Sequence, residues 1–128
     1  MSDNPAFVQQ ATAVLREVGE ASGVWYERWL AMSQSGYSDT SEALLDTDRL
    51  LATLEHAQER WRAFEAPEGM LELQVEGAGA LENLVERLRE LVDSLDGGDF
   101  ERLRIASQAV ELSVQDLDEV HSNLRRRT

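Results

Sequence analysis

Leucines recur at intervals of three and four between residues 80 and 95. The members of this stripe are Leu81, Leu84, Leu88, Leu91 and Leu95. Such spacing places apolar side chains on one face of a helix, while Glu82, Glu86 and Arg89 fall on the opposite face. A helix of this kind is marginal alone in water, so we expect it to pack against other helices.

The same amphipathic pattern returns in the rest of the chain and predicts four helices. Their expected ranges are 5–33, 40–65, 67–95 and 99–125. Helices of similar length with short connections favour antiparallel neighbours. We therefore predict one all-α domain over residues 1–128, an antiparallel four-helix bundle with up-down-up-down topology.

Short polar residues mark the predicted helix starts. Asn4, followed by proline, can cap the first helix, and Asp39 with Glu42 three residues later resembles a capping box. Before the last helix, Gly98 can adopt left-handed geometry and Asp99 can accept hydrogen bonds from free amides. Phe100 is then expected to face the core.

Residues 68–79 also alternate apolar and polar side chains, as a strand does. A lone strand would have no partner in an otherwise helical chain, so we interpret this segment as helix. Gly77 and Gly79 weaken that helix by about 1 kcal/mol each relative to alanine. They predict a possible break near residues 76–80.

The charge and residue usage restrict the partners. The chain has 25 acidic residues against 12 basic ones, all arginine, for a net charge of −13. Such a surface repels phosphate backbones and anionic lipid, so we expect neither nucleic acid nor membrane as a partner. No apolar run approaches the roughly 20 residues of a membrane span, and the start is not a signal peptide, which predicts a cytoplasmic protein. The absence of cysteine excludes disulfides and thiolate chemistry, and no cofactor is predicted.

The aromatic and apolar residues between Trp25 and Met32, near the end of the first helix, cover more of its surface than one buried face can hold. Core packing accounts for the tryptophans, but part of the apolar surface of this stretch is expected to remain exposed to solvent in a monomer. We predict an interaction patch of Tyr26, Trp29, Leu30 and Tyr37 that contacts a second copy or another protein partner, with a homodimer as the preferred arrangement.

Glycines on two predicted helices suggest a second candidate site. By counting along the helices, Gly19 and Gly23 on the first helix lie near the level of Trp61 on the second and of Gly77 and Gly79 on the third. Either the Trp61 indole fills the room that the glycines leave, or Gly19, Trp61 and Gly79 line a small apolar pocket.

Two patterns in the sequence resemble catalytic or metal-binding sites. Glu17-x-x-Glu20 with Glu90-x-x-Asp93 resembles the carboxylate pairs of all-helical nucleotide pyrophosphohydrolases of the MazG type. That resemblance implies magnesium-dependent hydrolysis, with the pairs holding the metal against a phosphate.

Histidine supplies the other pattern, because Asp118 precedes His121 by three residues, as in bundle di-iron sites. Such sites need two of these pairs, and His56 has Thr53 at the matching offset. We therefore predict no metal site and no catalytic residues.

The preferred interpretation is a non-enzymatic bundle that acts through protein contacts as an adaptor, an assembly factor or a small acidic chaperone. Residues 91–125 resemble the acidic helical chaperones of flagellar export, although no family is assigned on that segment. The alternatives are the magnesium-dependent pyrophosphohydrolase-like enzyme and a binder of small hydrophobic ligands.

Overall fold

Four helices form the regular structure of the described part of the chain. The computed structural model describes residues 5–36 and 40–126, and over these residues it contains no strand. The helices are α1 (Pro5–Gln34), α2 (Ser41–Arg62), α3 (Leu71–Gly97) and α4 (Phe100–Arg126). The all-α prediction is confirmed.

The helices pack in a ring in chain order. Each helix contacts the next, α4 closes against α1, and the Cα atoms of the diagonal pairs α1–α3 and α2–α4 stay more than 8 Å apart. Arg28 pairs with Asp46 at 2.6 Å, and Glu17 pairs with Arg60 at 2.6 Å. Because the position on α2 rises as the position on α1 falls, these helices are antiparallel. The predicted antiparallel four-helix bundle is confirmed.

The leucine stripe of α3 lies at the centre of the core. Four of its members, Leu81, Leu84, Leu88 and Leu91, have no exposed surface. Val14, Leu54 and Val110 from the other helices are equally buried. The prediction for Phe100 is wrong, because this residue stands at the first position of α4 and is 59 % exposed.

The connection between α2 and α3 is longer than predicted, since α2 ends earlier and α3 begins later than the expected bounds. Pro67 does not open the helix; its carbonyl accepts a bond from the Met70 N–H at 3.0 Å and closes a turn. Gly69 has a φ of 94° within that turn. The Gln74 side chain donates to the Phe64 carbonyl at 2.6 Å and ties the connection to α3.

The possible break near residues 76–80 is absent, and α3 continues through Gly77 and Gly79. The Trp61 indole lies against the backbone at Gly77, where an added Cβ would be 2.7 Å from its Cε2 atom. The indole Nε1–H donates to the Gln74 carbonyl at 2.8 Å. Gly77 therefore makes room for a large side chain without breaking the helix.

The predicted turn before α4 is confirmed. Gly98 has a φ of 68°, in the left-handed region. The Asp99 Oδ1 atom accepts the backbone N–H of Glu101 at 3.1 Å and of Arg102 at 3.2 Å. These bonds satisfy two of the amides that a helix start leaves free.

The predicted caps of the first two helices, Asn4 and Asp39, lie outside the described residues. Thr40 directly precedes α2, with a φ of −92° and a ψ of −6°, and its side chain makes no capping hydrogen bond. Because Thr40 is the N-cap, Glu42 stands at the second position of α2, whereas a capping box needs its glutamate at the third. The start of α2 therefore differs from the predicted box by one residue.

Candidate binding groove between two helices

The interface between α1 and α4 is the least extensive of the four neighbouring pairs, and a groove lies along it. The groove has a volume of about 230 Å³. Its walls on the α1 side are Gly19, Ser22, Gly23, Trp25 and Tyr26, and on the α4 side they are Val110, Glu111, Val114, Gln115 and Asp118. The groove therefore combines apolar walls with a few polar groups, as ligand sites commonly do.

The groove exists because two residues of α1 lack side chains. A Cβ atom added at Gly19 or at Gly23 would have no other atom within 4 Å, apart from its immediate surroundings on the helix. Four residues separate these glycines, so they lie one turn apart on the same face. Larger residues here would project into the space that the groove occupies.

Trp25 gives the groove a fixed wall. Its ring stacks on Trp29 with centroids 5.2 Å apart and planes inclined by 21°. Its indole Nε1–H donates to Thr47 Oγ1 at 2.9 Å, and this hydroxyl donates to the Ala43 carbonyl at 2.6 Å. Thr47 is fully buried, so both polar groups are satisfied inside the core.

Ser22 is the buried polar group without a partner in this groove. It is only 2 % exposed, and its Oγ atom makes no hydrogen bond to any described residue. A buried polar group that lacks a partner costs about 1–3 kcal/mol. Such groups are rare in folded proteins, so this hydroxyl is the polar feature of the groove that most needs an explanation.

Two carboxylates of α4, Glu111 and Asp118, stand at the groove without ion-pair partners among the described residues. Seven residues separate them, so they lie two helical turns, or about 10 Å, apart on one face. Together they place two negative charges on the α4 edge of the groove.

His121 lies one turn beyond Asp118 on α4. Partial burial lowers the pKa of His121 below its ordinary value of 6.5, Arg125 and Arg16 lower it further, and Asp118 acts in the opposite direction. The imidazole therefore stays neutral to lower pH than a free histidine. The positive charge at this end of the interface comes from the two arginines.

The structure divides the predicted interaction patch. Tyr26 and Leu30 are 36 % and 38 % exposed, and Tyr26 forms part of the groove wall. Trp29 is buried, with 5 % exposure, because it packs on Trp25 within the core. Tyr37 lies outside the described residues. Tyr26 and Leu30 are thus the members of the patch that the structure places at the surface.

The three residues of the predicted glycine pocket lie in different places. Gly19 lines the α1–α4 groove, while Gly79 lines a separate groove between α3 and α4. Trp61 is buried against Gly77, which the pocket prediction did not include. The indole thus fills the room at Gly77, whereas Gly19 and Gly79 both face open space.

The carboxylate pairs that resemble a magnesium site lie on the diagonal helices α1 and α3, whose Cα atoms stay more than 8 Å apart. Glu17 pairs with Arg60 at 2.6 Å, and Glu90 pairs with Arg87 at 3.4 Å. Within residues 5–36 and 40–126, no three histidine or acidic side chains lie close enough together to hold a metal ion. The two carboxylate pairs therefore do not come together at one site.

The groove residues Ser22, Glu111 and Asp118 were not predicted as binding residues. The signal available for one side was the run of small residues Gly19-x-x-Ser22-Gly23, which shares one helical face. The groove residues of α4 could not be identified in this way, because tertiary packing decides which face of α4 meets α1.

Comparison with protein-family models, with curated proteins and with solved structures gives no match. Across the helices of the described residues, none combines the length and the apolar character that crossing a bilayer requires.

Proposed function

We propose that this protein is a non-enzymatic binding protein, an adaptor, assembly factor or small chaperone, that receives a protein partner at the α1–α4 face. This face comprises the groove together with Tyr26 and Leu30. The observation that carries the proposal is the unpartnered Ser22 hydroxyl in a mainly apolar groove, with two exposed apolar side chains beside it. Binding would give the hydroxyl a partner and remove the apolar side chains from water.

Self-association is the second candidate, because an exposed tyrosine and leucine near a groove are typical of a subunit contact. In a two-fold dimer the same patch of both copies comes together. That arrangement would bring Glu111 and Asp118 of one copy toward the same acidic groove of the other. The charge therefore favours a different protein over a second copy.

Affinity capture with matched baits tests this function. The baits are the wild type, Tyr26→Glu, Leu30→Glu and the control Val75→Glu, which also places a carboxylate at an exposed apolar position but lies on α3, 70 % exposed. We expect a protein that the wild type and the control retain and that both α1 variants lose, since a charge buried without a partner weakens an interface strongly.

Melting curves of the four baits establish that each is folded, and surface substitutions of this kind shift stability by only about 0.5 kcal/mol. Recovery of the same proteins by all four baits would contradict the proposal. Sedimentation of the wild type and of Tyr26→Glu decides the second candidate, because a dimer through this face would dissociate in the variant.

A further inference from the structure

We propose that the α1–α4 groove binds two turns of a basic amphipathic helix contributed by the partner. This inference rests on the proposed function and specifies the chemistry of the partner segment. In this mode, one apolar face of a helix lies in a hydrophobic groove, with anchors at positions such as i and i+4.

The dimensions of the groove fit such a segment. Gly19 to Tyr26 on α1 and Glu111 to Asp118 on α4 each span seven residues, or about 10 Å along the axis. A dry cavity of about 150 Å³ accommodates benzene. The 230 Å³ of this groove therefore has room for an apolar anchor of the size of leucine or phenylalanine.

The glycines allow the partner to approach closely. Nothing stands within 4 Å of a Cβ built at Gly19 or Gly23, so the anchor can reach the helix backbone of α1. Small residues on one helical face allow another backbone to approach in this way. Trp25, held by its bond to Thr47, offers a preformed apolar wall that costs no ordering on binding.

The charges select a basic segment. Glu111 and Asp118 have no ion-pair partners among the described residues, and the chain carries a net charge of −13. Lysine or arginine residues seven positions apart on the partner would face the two carboxylates while its apolar residues fill the groove. A polar side chain beside the anchor would satisfy the Ser22 hydroxyl, which can both donate and accept.

A labelled synthetic helix of leucine and lysine is the probe, with leucines at i, i+3, i+4 and i+7. A second peptide has the same composition in scrambled order, so that it keeps the charge but lacks the apolar face. Fluorescence anisotropy at physiological salt should show roughly tenfold tighter binding of the amphipathic peptide than of the scrambled one.

Gly23→Leu fills the groove, and Gly79→Leu is the matched control, because a Cβ at either position meets nothing within 4 Å. Both substitutions replace a helical glycine by a stronger helix former, so both variants are expected to fold. We expect Gly23→Leu to weaken binding of the amphipathic peptide about tenfold, and Gly79→Leu to leave it unchanged.

Glu111→Gln with Asp118→Asn should also weaken binding and flatten its dependence on salt, because these carboxylates supply the attraction. Equal affinity for both peptides, or an unchanged affinity in Gly23→Leu, would overturn the inference. The capture experiment with the Tyr26 and Leu30 variants decides the proposed function separately, so the two failures are distinguishable.

Discussion

Replacing Trp61 by alanine is expected to lower the free energy of unfolding by about 3–5 kcal/mol. The side chain is 2 % exposed and is the largest of the fully buried ones. Its ring lies against the backbone at Gly77 and 5.6 Å, centroid to centroid, from the ring of Phe64. Its removal leaves a cavity between α2 and α3 and deprives the Gln74 carbonyl of the indole donor. Urea denaturation measures the loss.

Trp61→Phe separates the two contributions, because phenylalanine keeps much of the apolar volume but cannot donate to Gln74. We expect it to cost about 1–3 kcal/mol, less than the alanine variant. A change below about 1 kcal/mol in Trp61→Ala would contradict the packing described for this residue.

Gly77→Ala should be destabilising, although glycine to alanine normally strengthens a helix by about 1 kcal/mol. The added Cβ would overlap the Cζ2 atom of Trp61 and lie 2.7 Å from Cε2. The contacted atoms belong to a rigid ring held by a hydrogen bond to Gln74, so the indole cannot yield easily. Overpacking of this kind costs about 1–3 kcal/mol, which a shift of the urea midpoint will report.

Gly79→Ala is the control for that measurement. It makes the same substitution two residues later in α3, where an added Cβ meets nothing within 4 Å. We expect this variant to be more stable than the wild type, by up to about 1 kcal/mol. Opposite signs at the two positions would establish the close approach of Trp61 to Gly77, whereas stabilisation by both substitutions would exclude it.

Periodicity predicted the helices because burial in a bundle depends on one face of each helix. The leucines of α3 recur at an unbroken helical spacing, and three of them, Leu81, Leu84 and Leu88, have no exposed surface in the structure. The Asp99 cap was also predictable, because capping is a local interaction of a carboxylate with amides two and three residues ahead.

Properties that depend on contacts between helices were harder to predict. Counting along straight helices placed Trp61 near the level of Gly19, Gly77 and Gly79, but it could not tell which glycine the ring meets. The indole lies against Gly77 because its N–H binds the Gln74 carbonyl.

The same limit applies to the candidate site. A dense aromatic stretch predicts surplus apolar surface, but which ring is buried depends on the partner helices. Stacking on Trp25 buries Trp29, while Tyr26 stays partly exposed toward α4. The groove itself results from the pairing of glycines on α1 with one particular face of α4, so no single segment encodes it.

Hydrogen–deuterium exchange of the protein, alone and in complex with its captured partner, tests the α1–α4 face as the functional surface most directly. We predict slower exchange on binding in residues 19–30 and 110–118, where the groove and its neighbouring exposed side chains lie. Slower exchange confined to α2 and α3, with these two segments unchanged, would contradict the account.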